Sequence, residues 1–336
     1  MKNKNLNSII ILILTIILMY ILMKDNYQEI FNTILNINPY WTILSIILYI
    51  GYLLLQSIPF LLLSNKYKYN IKFGFMFYLS VVTNFFNGIT PLATGGQPLQ
   101  AYELYKKGIT MADATNIVIQ NSIIFKFGVC LWGILALIIN DLFNLIPAPQ
   151  LLKNLTRIGL LLNALVIVLL FMLSFSKKTS NIISNFIINL LYKLHIIKDK
   201  EKTLNSWNKT CNEFYDNSKI LLQNKKILIT GTLIEFISLT FYYVLPITLA
   251  YAINCGNNLT VINTLLISSY VYMASSYLPI PGATGGAEYA FINYLKIYIN
   301  TYKLNALLIL WRTITYYLPT IIGGIAFNIN HTKKNN

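Results

Sequence analysis

Five ionisable side chains lie inside or beside strongly apolar stretches. Lys126 sits in Ile123-Ile124-Phe125-Lys126-Phe127, Glu235 in Leu233-Ile234-Glu235-Phe236-Ile237 and Arg312 in Leu310-Trp311-Arg312-Thr313. Glu103 and Glu288 each follow one copy of a repeated hexapeptide, Pro-x-Ala-Thr-Gly-Gly, found as Pro91-Leu92-Ala93-Thr94-Gly95-Gly96 and as Pro281-Gly282-Ala283-Thr284-Gly285-Gly286. An ionisable group in the interior of a membrane costs roughly 2.5 to 3.5 kcal/mol on insertion scales, so such groups pair, face a cavity or serve transport. The chemistry open to these residues is binding. Broken-helix ends with Lys126 and Arg312 suit an anion such as a phosphate, and the carboxylates suit a cation. The candidate binding set is therefore Thr94, Gly95, Gly96, Gln97 and Glu103 around the first copy, Thr284, Gly285, Gly286 and Glu288 around the second, and Lys126, Glu235 and Arg312 in the spans. Glu103, close to Lys106, also fits a plain structural ion pair. Glu103 or Glu235 as a general base would lack a nucleophile, metal or nucleotide loop, because neither Gly-Gly pair continues into the Lys-Ser/Thr of a P-loop.

The elements that must hold these residues are transmembrane. The chain is 56% hydrophobic and only 11% charged over 336 residues, with mean hydropathy +0.58, too apolar for a soluble domain of this size. Apolar runs at Ser8–Met23, Tyr40–Leu63, Thr115–Asn140, Ile158–Phe175, Ile227–Ile253 and Leu304–Asn330 approach or exceed the roughly 17 to 25 residues that cross a hydrocarbon core. The first run, after Lys2 and Lys4, also resembles a signal peptide, but no small-residue cleavage site follows Met23.

The net charge of +15 does not call for nucleic acid, because position explains it. Nineteen of the 26 Lys and Arg residues fall at Lys2 and Lys4, at Lys66, Lys68 and Lys72, at Lys106 and Lys107, between Lys177 and Lys226, and at Lys333 and Lys334. These segments recur on one side of a membrane, which positive-inside bias makes the cytoplasmic side. Both termini are then expected in the cytoplasm. Cys130, Cys211 and Cys255 lie too far apart for a disulfide framework, and His195 and His331 have no partners at metal-ligand spacing. No metal or cofactor is expected.

The same lysines constrain the hexapeptides. Lys72 and Lys106 share a side, so residues 73–105 must enter the membrane and return, with Thr90–Pro98 as the tip. Ile227–Ile253 leads outward and Leu304–Asn330 leads back, so residues 261–300 must return on the opposite side. The expected fold is an all-α polytopic membrane protein with about six full transmembrane helices and two oppositely oriented re-entrant hairpins, an inverted repeat. Residues 1–330 are expected to form one integral-membrane domain, with a cytoplasmic amphipathic segment at 177–226 and a tail at 331–336. A plainer reading of the glycine pairs is that they only allow close helix packing.

Several longer strings complete the pattern: Asn84-Phe85-Phe86-Asn87-x-x-Thr90-Pro91-x-x-Thr94-Gly95-Gly96-Gln97-Pro98, Lys107-Gly108, Leu278-Pro279-x-Pro281-Gly282-x-x-Gly285-Gly286-x-Glu288 and Trp311-Arg312-x-x-x-Tyr316-Tyr317-x-Pro319. In these the chain resembles the flippase-like, lysylphosphatidylglycerol synthase transmembrane-region family over nearly its whole length. In the multiple peptide resistance factors, this membrane region is joined to a cytosolic domain that transfers lysine from lysyl-tRNA to phosphatidylglycerol. The resemblance implies a plasma-membrane protein that moves a phospholipid between leaflets, an aminoacylated one such as lysyl-phosphatidylglycerol, and contributes to resistance against cationic antimicrobial peptides. Only six residues follow Asn330, so the lysyltransferase domain is not expected here, and an aminoacyl-lipid synthase would be a separate partner. An oligomer is compatible with the sequence. The alternatives are a lysyltransferase-type protein and a secondary transporter of a small polar solute.

Overall fold

The computed structural model describes residues 27–175, 189 and 224–332. The expected first span Ser8–Met23, nearly all of the segment 177–226 with His195 and Cys211, and Lys333 and Lys334 lie outside the described residues. Within them the chain is all-helical. Five helical segments are long and apolar enough to cross a membrane: Pro39–Lys66, Met111–Phe143, Gln150–Met172, Lys225–Ala252 and Thr301–His331. They correspond to the five later apolar runs.

The helices are α1 (Tyr27–Leu35), α2 (Pro39–Lys66), α3 (Phe73–Gly88), α4 (Gly96–Lys106), α5 (Met111–Phe143), α6 (Gln150–Phe175), α7 (Lys225–Tyr243), α8 (Leu245–Ala252), α9 (Val261–Ser275), α10 (Gly286–Leu295), α11 (Thr301–Arg312) and α12 (Leu318–Thr332). Local chemistry sets several of the ends. Asn38 caps α2 by accepting the N–H of Tyr40 at 3.0 Å, with Pro39 at the first helical position, where its missing N–H costs nothing. Thr110 caps α5 by accepting from the Asp113 N–H at 3.2 Å, and Asn144 ends that helix in the left-handed conformation. Pro246 cannot donate to a helical ladder, and it lies just past the break between α7 and α8.

Two helix–turn–helix units stand out. Helices α3 and α4 meet through a short turn at Pro91–Ala93, and α9 and α10 through a turn at Pro281–Ala283, so each turn is one copy of the hexapeptide. The two turns touch each other. The four arms have 16, 11, 15 and 10 residues, rises of about 24, 16, 22 and 15 Å, each shorter than the roughly 30 Å of a hydrocarbon core.

Packing follows a crossed pattern. Helix α3 lies on α12, and α9 lies on α5 and α6. Small residues make these approaches close: a Cβ on Gly159 would collide with the Met273 carbonyl, and one on Gly323 would come 2.6 Å from the Val81 carbonyl oxygen. One buried cluster gathers Tyr243, Phe291, Tyr294 and Trp311 from α7, α10 and α11, and another gathers Phe60, Met76, Leu104 and Ile123 from α2 to α5. The outward face of α2 keeps Ile43, Ile46, Ile47 and Ile50 exposed, as a helix face in contact with hydrocarbon would be.

Candidate functional site

Both turns share an unusual backbone. Leu92 and Ala93 have φ of 56° and 51°, and Gly282 and Ala283 have 63° and 52°. A non-glycine residue in this left-handed region costs roughly 1 to 2 kcal/mol, so the first turn holds two such residues against their preference. In both turns the threonine hydroxyl donates to the proline carbonyl, Thr94 to Pro91 at 3.0 Å and Thr284 to Pro281 at 2.9 Å.

Beyond the threonines the copies diverge. In the first, the Gly95 N–H donates to Thr90 Oγ1 at 2.9 Å and the Gly96 N–H to Asn87 Oδ1 at 2.9 Å. In the second, Gly285 takes φ of +90° and its N–H donates to Glu288 Oε2 at 2.7 Å. The expectation that these turns offer free amides to an anion is corrected here for three of them: Gly95, Gly96 and Gly285 already donate within the chain.

Glu288 does two things at once. Its second oxygen, Oε1, lies 2.7 Å from Arg312 Nε, and both side chains are buried. This ion pair ties α10 to the end of α11. The guanidinium also lies over the rings of Trp311 and Tyr316, 5.2 and 5.4 Å from their centroids. The Glu288 contact is an ion pair without hydrogen-bond alignment at Nε, and neither Nε nor Nη2 of Arg312 has a hydrogen-bond partner among the described residues. A buried guanidinium with unmet donors calls for an explanation, and water or a ligand are the ordinary ones.

Arg312 lines a cavity of about 210 Å³. Leu92 and Ala93 of the first turn and Gly282 and Ala283 of the second close one part of it, and Asn84, Asn87, Ser268, Ser275, Ser276, Tyr242 and Tyr272 give it a polar wall. From the last span come Trp311, Arg312, Thr315, Tyr316, Pro319 and Thr320. These recur at intervals of four, which would drift around a regular α-helix. A π-helical turn at Thr313–Tyr317 widens the helix there and keeps them on one face. Tyr316 then reaches the Gly88 carbonyl with its hydroxyl at 3.0 Å, and its ring fills the place a Cβ on Gly282 would need. Only glycine fits position 282, on grounds of both φ and space.

A second space adjoins the first. It is an apolar groove of about 450 Å³ between α2, α3 and the last span, and it shares Asn84 and Pro319 with the cavity. Ile46, Ile50, Leu318 and Ile322 line it while remaining 42%, 44%, 41% and 53% exposed, so the groove opens on the apolar outer face.

The other candidate residues lie elsewhere. Glu103 is buried on α4, with Oε1 3.5 Å from Lys106 Nζ and 3.6 Å from His331 Nε2, and Lys106 Nζ is 2.9 Å from the same His331 nitrogen. This cluster ties α4 to the end of α12. Lys126 donates to Asn163 Oδ1 at 2.9 Å and to the Tyr277 hydroxyl at 3.2 Å. Glu235 is fully buried, and neither oxygen has a partner among the described residues. None of these three lines the cavity. Thr94 and Gln97 are exposed, and Gly96 is buried under Asn87 and Thr83.

The lysylphosphatidylglycerol synthase transmembrane region matches residues 7–323 of this chain. The chain belongs to that family. Among its relatives, a UPF0104 membrane protein of Archaeoglobus fulgidus is 22% identical over 296 residues, covering 87% of both chains. An uncharacterised protein of Mycoplasma genitalium is 22% identical over 280 residues, 76% of this chain and 68% of the relative. The family and the apolar helices together describe a multi-pass membrane protein.

Sequence reasoning missed most of the cavity wall in this family member. Asn84, Ser268, Ser275, Ser276, Tyr242, Tyr272 and Thr315 carry no charge, and polar residues of that size also occur in ordinary helix packing. A signal was present in the four-residue recurrence of Trp311-Arg312, Thr315-Tyr316 and Pro319-Thr320.

Proposed function

We propose that this protein moves a phospholipid between the leaflets of the plasma membrane. The observation that carries the reading is the contact between two unlike spaces: a cavity of mixed lining that holds Arg312 and several polar side chains, and an apolar groove open to the outer face, joined at Asn84 and Pro319. A lipid in transit needs a polar place for its headgroup while its chains stay in hydrocarbon. A carrier of small polar solutes needs no such groove.

The fold supports an inverted repeat built around this site. If α2, α3, α4 and α5 correspond to α7, α9, α10 and the α11–α12 span, the contacts pair off. Packing of α3 on α12 answers that of α9 on α5, α4 on α5 answers α10 on α11, and α2 on α3 answers α7 on α9. The α2–α7 contact and the contact between the two turns would each answer themselves, lying on the pseudo-axis. The short arms suit hairpins that enter from opposite sides, and the lysine positions along the sequence favour cytoplasmic termini. Resistance to cationic peptides would follow only if the lipid delivered changes the surface charge.

The test is reconstitution in liposomes with headgroup-labelled phospholipids and a membrane-impermeant quencher. Wild-type protein should expose inner-leaflet label, and Arg312→Ala should not. Ile322→Trp fills the groove from an exposed position, leaves the cavity intact and should also slow exposure. Uptake of a small polar solute without lipid movement would overturn the reading.

A further inference from the structure

Resting on that reading, we infer that the cavity takes the phosphate of a lipid whose headgroup carries no cation, so that an anionic phosphodiester with a hydroxylated or otherwise uncharged headgroup is the cargo and an aminoacylated lipid is not. The argument begins with the carboxylates. An ammonium group carried into a cavity of low dielectric needs a counter-charge there. Among the described residues, three acids lie within or beside the spans that build the cavity, and none offers one. Glu103 is engaged by Lys106 and His331 at the end of α12. Glu235 does not line the cavity. Glu288 is the nearest, and both of its oxygens are used, one on Arg312 Nε and the other on the Gly285 N–H.

The cation is differently placed. Arg312 lines the cavity, is only 6% exposed, and keeps Nη2 without a partner among the described residues. Its ion pair with Glu288 is made through Nε and leaves the Nη2 donors for a second acceptor. A planar guanidinium held in this way is suited to the oxygens of a phosphate. The ten-residue helix α10 begins at Gly286, where its positive end offsets part of the Glu288 charge.

Five hydroxyls of the wall are left as acceptors. Ser268, Ser275, Ser276, Thr315 and Tyr316 donate their hydroxyl hydrogens to backbone carbonyls at distances of 2.5 to 3.0 Å. Their remaining lone pairs suit the hydroxyls of a glycerol-like headgroup. Single neutral acceptors without a carboxylate are poor compensation for an ammonium group.

The experiment measures binding, so it does not depend on transport. Full-length protein in neutral detergent is titrated with short-chain phosphatidylglycerol, its lysyl ester, phosphatidylethanolamine, glycerol phosphate and inorganic phosphate, following the midpoint of thermal unfolding. Short-chain phosphatidylglycerol should bind at least about 10-fold more tightly than the lysyl ester or phosphatidylethanolamine. The water-soluble phosphates should be weaker still, because the groove contributes nothing to them. Ser276→Asp adds a carboxylate to the wall and should move the preference toward the lysyl ester, a gain that a misfolded variant would not give. Equal or tighter binding of the lysyl ester, or equal binding of inorganic phosphate and the lipid, overturns the inference. Discrimination in binding with no movement of lipid in liposomes would instead overturn translocation and leave this site standing.

Discussion

Glu288 divides its oxygens between two partners: Oε1 lies 2.7 Å from Arg312 Nε, and Oε2 accepts the Gly285 N–H at 2.7 Å. The side chain thus fixes the second turn and orients the guanidinium in one stroke. Removing one member of a buried ion pair costs about 3 to 5 kcal/mol, because the other charge stays buried alone. The two halves are not equivalent. Glu288→Ala strands both Arg312 and the Gly285 N–H, whereas Arg312→Ala leaves Glu288 with its bond to Gly285. Thermal unfolding in detergent should rank Glu288→Ala below Arg312→Ala, with Glu288→Gln closer to wild type. The double variant should lose less than the sum of the single changes.

The left-handed residues of the two turns predict opposite responses to similar changes. Leu92 adopts φ of 56° and is exposed, so Leu92→Gly relieves backbone strain of order 1 kcal/mol while freeing the unfolded chain by a similar amount. Its unfolding midpoint should move little. Gly282→Ala places a methyl group into the ring of Tyr316, which is itself anchored on Gly88. That variant should lose stability clearly. A larger loss at Leu92 than at Gly282 would contradict the turn geometry.

How much of this was legible beforehand differs between the fold and the site. Hydropathy located the five spans that fall in the described residues because apolar length is what a bilayer selects, yet it placed one at Thr115–Asn140 where the helix runs Met111–Phe143. The difference is capping: Thr110 and Asn144 end the helix, and hydropathy does not weigh caps. Arg312, Glu288 and the two hexapeptides were recognisable because a charge or a repeated Gly-Gly in an apolar run is conspicuous. Lys126, Glu103 and Glu235 were equally conspicuous and lie elsewhere. Sequence marks a polar residue in a span but not the face it occupies, and here the deciding geometry came from a π-helical turn that widens the last span beneath Arg312.

The first turn relies on uncharged caps where the second uses Glu288. Thr90 Oγ1 accepts from Gly95, and Asn87 Oδ1 accepts from Gly96. Thr90→Val keeps the shape of the side chain and removes the acceptor, leaving an N–H unpaired at a cost of about 1 to 3 kcal/mol. Thr90→Ser should retain stability, and Asn87→Leu should resemble Thr90→Val. The midpoints of unfolding for this pair, measured beside Glu288→Ala, should show that each turn fails through its own cap.

Glu235 separates stability from function. It is fully buried between α7 and α5, and a Cβ added at Gly128 would lie 2.9 Å from the Glu235 Cβ, so the helices leave no spare room around its stem. Neither oxygen has a partner among the described residues. An unsatisfied buried polar group costs the full loss of its hydration, and an apolar side chain of similar size removes that cost. Glu235→Leu should therefore unfold at the same temperature as wild type or higher, while Gly128→Ala should unfold lower because its methyl group pushes α7 away from α5. Lipid movement by Glu235→Leu in the liposome assay should fall despite the preserved fold, since a polar group that weakens the bundle within an apolar span is expected to serve transport. Undiminished movement of lipid by a stable Glu235→Leu protein would assign the residue no part in the cycle.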